Sequence, residues 1–220
     1  LYSIMRYILL IALLTAFKLT FSQNNADEFE GKIYYQNSFK FDNSKVDSIE
    51  VIKGFGSSSV YSYKKGKYHW ASFDSGLEFE IFNSELKLMI DKYSTSDSLD
   101  LIDVYNKGDS LLSYSINERD TVICGYKCKS IKLRLSSRFD GSEFSRTLYY
   151  SPDLKIDPSH FEGVKSYAGE FAYKLMKSVP LKIEMEYTGF PLVISICAVH
   201  VEKSKIDDSL FTISRYLIKK

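Results

Sequence analysis

Apolar and polar residues alternate with a period of two along much of this chain. Ile33 and Tyr35 oppose Lys32, Tyr34 and Gln36. Val60-Tyr-Ser-Tyr63 and Lys67-Tyr-His-Trp-Ala71 flank Lys64-Lys65-Gly66, the signature of a hairpin. Leu77, Phe79 and Ile81 alternate with Glu78 and Glu80, and Leu86, Leu88 and Ile90 with Lys87, Met89 and Asp91. Further strand-like pieces run through 111–116, 120–124 and 126–135, and Phe144, Arg146, Leu148 and Tyr150 share one face. Leu181, Ile183, Met185 and Tyr187 alternate with Lys182, Glu184 and Glu186, and 192–201 is apolar on both faces, as a central strand would be. Short strands separated by turns predict an extended antiparallel sheet, curved or closed.

One stretch breaks the period. Between Pro158 and Pro180, Phe161, Val164, Ala168, Phe171 and Leu175 recur at spacings of three and four. Ser159 and Glu162 have the spacing of a capping box, and Glu170 and Lys174 that of an i,i+4 ion pair. The pattern predicts one amphipathic helix over about Ser159–Lys177, packed on the apolar face of the sheet. No repeat, low-complexity tract or long linker divides the chain, so residues 23–220 read as a single domain.

The first residues read as an address. Met5-Arg6 precedes an apolar run from Tyr7 to Phe17, followed by Lys18 and small or polar residues. This describes a secretory signal peptide over residues 1–22, with a run short of the roughly twenty residues a membrane span needs. No membrane span is expected after its removal. No cysteine lies near the cleavage region, so a lipid anchor is not expected either. The expected location is the periplasm or beyond. The chain carries 29 basic and 28 acidic residues, and losing Arg6 and Lys18 leaves 27 against 28. Such a balance supplies no field for nucleic acid or an anionic membrane. Seventeen Tyr and fifteen Phe against four Pro agree with strands.

Export sets a disulfide-permissive context for Cys124, Cys128 and Cys197. In a straight strand Cys124 and Cys128 would lie about 13 Å apart, beyond the roughly 7 Å limit for a bridge. A three-residue loop at Gly125-Tyr126-Lys127 would make them face each other and allow a disulfide; the other reading is buried small side chains. His69, His160 and His200 accompany no Gly-x-Ser-x-Gly elbow, and calcium, Walker and dinucleotide patterns are absent. No catalytic residue, metal or cofactor is assigned. Glu78/Glu80 and Glu184/Glu186 each place two carboxylates on one strand face, which reads as a solvated face.

Three segments carry a resemblance. Ile123-Cys-Gly-Tyr-Lys-Cys128-Lys129 resembles an Ile-x-Gly-Tyr-x-Cys-x-Lys segment of the GLPGLI-type family of exported bacterial proteins, and Tyr149-Tyr-Ser-Pro-Asp-Leu154 its Trp-Tyr-Thr-x-x-Ile segment. Gly189-Phe-Pro-Leu192 is similar to the Gly-x-Pro-Leu turn of related exported families. The Leu-Pro-Gly-Leu-Ile signature is missing. The resemblance implies a lipoprotein-carrier (LolA-like) fold. The expected class is then α+β: a highly curved antiparallel sheet, an incomplete barrel, covered by one main amphipathic helix. Between helix and sheet, Trp70, Phe79, Tyr150, Phe171, Met185 and Tyr187 would line a cavity. The expected function is non-enzymatic binding of a hydrophobic or lipidic molecule. The alternative is an envelope scaffold or interaction module that binds a protein and no small molecule.

Overall fold

The computed structural model describes residues 28–41, 48–190 and 192–212; the expected signal peptide lies outside them. Eleven strands form one antiparallel sheet: β1 (Gly31–Phe41), β2 (Ser58–Lys64), β3 (Lys67–Phe73), β4 (Leu77–Asn83), β5 (Leu88–Tyr93), β6 (Leu99–Ile102), β7 (Ser110–Ile123), β8 (Tyr126–Ser136), β9 (Glu143–Lys155), β10 (Ser178–Tyr187) and β11 (Leu192–Lys203). Their order is β6-β5-β4-β3-β2-β1-β11-β10-β9-β8-β7. Two meanders, β1 to β6 and β7 to β11, meet where β1 pairs with β11 through Phe41↔Leu192 to Gly31↔Lys203. The period-two residues are the ones buried: Ile33 and Tyr35 on β1, Leu133 and Leu135 on β8, Leu181, Ile183 and Met185 on β10, and Ile194 and Ile196 on β11.

The connection from β6 to β7 joins opposite edges of this sheet. Eleven strands laid flat would span about 48 Å. The chain from Ile102 to Ser110 can reach at most about 28 Å. The sheet therefore bends until its edges approach, with Val104 buried in the gap between them. The edges do not pair, so the sheet stays open, and the expected incomplete barrel is not the architecture.

The expected single covering helix is also overturned. Pro158–Phe161 and Ser166–Ala168 are separate 3₁₀ turns, and only Gly169–Met176 (α2, eight residues) is α-helical. The other α-helix is Ser48–Phe55 (α1). Backbone conformation explains the break. Gly163, Tyr167 and Ala168 all have positive φ, at 80°, 51° and 52°, which a continuous right-handed helix excludes. The expected capping box is replaced by Asp157, whose carboxylate accepts from the Ser159 amide at 2.9 Å. Lys165 N–H bonds to Val104 O at 2.8 Å, tying this segment to the edge-to-edge connection. The buried residues of α2 are Gly169, Ala172 and Met176, while Phe171 and Leu175 are half-buried. The Glu170–Lys174 pair forms, at 3.3 Å. Among the described residues no helix is long and apolar enough to cross a membrane.

Candidate functional site

The bend of the sheet and the segment 158–176 frame a half-open cavity of about 320 Å³. Both meanders line it: Tyr35 and Asn37 from β1, Tyr61 from β2, Tyr68 and Trp70 from β3, Glu80 and Phe82 from β4, Arg146 from β9, and Ile183 and Met185 from β10. Phe161, Val164, Tyr167 and Tyr173 close it from the turn-and-helix segment. Period-two alternation puts these residues on one face. Tyr61 therefore faces Trp70 across the β2–β3 hairpin, and Glu80 shares the face of Phe82.

The walls are a chain of touching rings. Tyr35 stacks on Trp70 at 5.2 Å, Tyr61 lies 5.6 Å from Trp70 and 5.1 Å from Tyr68, and Tyr68 stacks on Phe82 at 5.2 Å. Phe82 stacks on Phe161 at 5.4 Å, and Phe161 on Tyr173 at 3.7 Å. Each such pair adds to the area it buries, by roughly 0.5–1.5 kcal/mol.

Polar groups interrupt this wall. Tyr68 donates its hydroxyl to Glu80 Oε1 at 2.6 Å. The surface Glu80 keeps faces the cavity, and burial first, then the neighbouring Asp91, pushes its carboxyl up to about 7. Asp91, the cross-strand partner of Glu80, is pushed up to about 6, chiefly by burial. Asn37 donates to Phe55 O and Gly56 O at 2.9 and 3.1 Å while its Oδ1 has no partner. The Tyr61 hydroxyl, beside Tyr173, has no partner of normal hydrogen-bond geometry. Arg146 stacks its guanidinium on Tyr167 at 4.7 Å, and its buried Nε has no acceptor.

Of the six residues expected at the cavity, Trp70 and Met185 line it. Tyr187 lines a neighbouring surface depression with Phe144 and Phe190. Phe79 lies on the opposite face of β4, stacked on His69 at 5.3 Å. Tyr150 is buried in the core, and Phe171 packs on Tyr114 at 4.9 Å. Arg146, Glu80, Tyr61, Tyr68 and Asn37 were not among the expected lining. Their signal was a polar or hydroxyl-bearing residue on an otherwise apolar strand face. Glu80 corrects the solvated-face reading of the Glu78/Glu80 pair: Glu78 is exposed and Glu80 is turned inward.

The three-residue loop that would let Cys124 and Cys128 bridge does not form. Cys124-Gly125 is itself a two-residue turn, both residues with positive φ, and Ile123 faces Tyr126 across it. Cys128 faces Thr121, and all three thiols are free. Cys124 Sγ lies 3.0 Å from Ala198 O. Burial pushes the Cys128 thiol up to about 11, far from a nucleophile's range. The histidines sit apart, His69 on Phe79, His160 on Glu28 and His200 on Tyr34. Among the described residues no group of three or more His, Cys, Asp or Glu could hold a metal ion.

No protein-family model matches the chain, and no curated protein is significantly similar to it.

Proposed function

We propose that this chain is an exported, non-enzymatic binding protein that takes a hydrophobic or lipidic molecule into the cavity between the sheet and segment 158–176. One observation carries the reading: a ring-walled space of about 320 Å³ into which partnerless polar atoms project. Close packing would normally fill such a space, and buried polar groups normally find partners. A ligand supplies both. The volume falls at the lower end of small-molecule sites, roughly 300–1,000 Å³. The signal-like residues 1–22 and the segments resembling exported families support the location.

Trp70 is the single tryptophan of the chain and lines the cavity. Titration with 1-decanol, followed by Trp70 emission, tests the reading. A saturable blue shift at one equivalent supports it, and an unchanged spectrum up to the solubility limit contradicts it.

The interaction-module reading has one observation in its favour. Edge strand β7 is paired on one side only and exposes Leu112, Tyr114 and Ile116. A second copy of the chain is the occupant a free antiparallel edge would take, and concentration-dependent dimers in sedimentation would favour that reading.

A further inference from the structure

We infer that the ligand of this cavity is an anion: an amphiphile with a single carboxylate-type headgroup held by Arg146 and an apolar body lying against Trp70 and Phe161. The inference rests on the cavity reading and adds the headgroup.

Arg146 sits on a strand face otherwise made of Phe144, Leu148 and Tyr150. Arginine brings a guanidinium cation with a fork of N–H donors to this face. Arg146 is half-buried, and a cation that loses part of its water without an ion-pair partner is costly, so such groups are normally paired. Among the described residues no carboxylate comes within ion-pair distance of it. Its guanidinium lies 4.7 Å over the face of Tyr167, which leaves the edge of the plane to other partners, and its buried Nε has no acceptor. Glu80 is the acid whose charge Arg146 feels, but it already accepts from Tyr68 and makes no ion pair with Arg146.

A second, independent group points the same way. Tyr61 is 3% exposed and lines the same cavity, and its hydroxyl, beside that of Tyr173, has no hydrogen-bond partner of normal geometry. A fork of N–H donors and a spare O–H facing an aromatic space match the oxygens of one carboxylate. A neutral amphiphile would leave the arginine without an ion-pair partner, and a cationic one would meet it head-on. The volume suits one alkyl chain or ring system.

The test uses the unaltered protein and three ligands of equal chain length: decanoate, 1-decanol and decyltrimethylammonium, read by Trp70 emission at pH 7. Charge-assisted hydrogen bonds of roughly 1.5–3 kcal/mol predict decanoate binding about ten- to a hundred-fold tighter than decanol. R146Q should erase that preference by weakening decanoate alone, and R146K should keep part of it. Comparing 2-naphthoate with decanoate distinguishes a ring acid from a fatty acid as the source of the headgroup. Equal binding of decanoate and decanol overturns the anion inference and leaves the cavity reading standing, as does decyltrimethylammonium binding best. Binding of none of the three overturns the cavity reading itself. Should R146Q fail to fold, the ligand series on the unaltered protein and R146K still decide.

Discussion

At the residue scale, the chemistry lies in the few polar side chains that break an apolar face. Glu80 gives the sharpest prediction. Its folded carboxyl is raised to about 7 from an ordinary 4.5, chiefly by burial, so the fold favours the protonated form. The stability this confers is complete below pH 4.5, declines as pH rises, and is lost above about 7. Urea midpoints should therefore fall between pH 5 and pH 8. E80Q, which can still accept from Tyr68, should be about 2–3 kcal/mol more stable than the parent at pH 8 and close to it at pH 5. A residual slope should persist from Asp91, itself raised to about 6. A parent protein that gains stability from pH 5 to pH 8 would contradict this account of Glu80.

These polar residues were only partly legible. Alternation placed Arg146 on a face with Phe144, Leu148 and Tyr150, and an arginine on such a face was the clearest mark of the site. Glu80 was hidden because Leu77, Phe79 and Ile81 made the other face of β4 look like the dry one. In the structure β4 is covered on both sides toward its end, where Ile81, Phe82 and Asn83 are all buried. Local alternation cannot announce that a neighbouring segment will cover the second face.

At the element scale, strands were read well because their period needs no tertiary information. The register of the β2–β3 hairpin, Lys64↔Lys67 around Lys65-Gly66, follows from the turn residues alone. The helix was misread for a physical reason. Spacings of three and four also suit successive short turns laid across a sheet, and the stripe from Phe161 to Leu175 does not distinguish one helix from three pieces. Gly163 was the discriminating residue. Its φ of 80° is left-handed, and an added Cβ would sit 3.3 Å from the Tyr105 ring. G163A should therefore destabilise the protein by about 1–2 kcal/mol. In a continuous helix over Ser159–Lys177 the same change would stabilise it by about 1 kcal/mol. Thermal or urea unfolding of G163A decides by sign.

At the scale of the whole molecule, the cavity follows from chain connectivity. A link of few residues between opposite edges bends the sheet, and the bend brings Glu80 of β4 and Arg146 of β9 to one space. No single-strand pattern contains that information, which is why Trp70 and Met185 were anticipated at the cavity while Phe79, Tyr150 and Phe171 point elsewhere. Segment 158–176 then closes the space with Phe161 and Tyr173, whose rings stack at 3.7 Å. The binding reading and its headgroup both depend on whether that space is filled by a molecule.

The most direct measurement is mass spectrometry of the protein purified after exported expression, run native and then denatured following solvent extraction. The account predicts a stoichiometric adduct in the native spectrum, of a mass fitting a single-chain or ring acid and lost on extraction. A bare chain in both spectra, with no adduct recovered on adding decanoate, would contradict it.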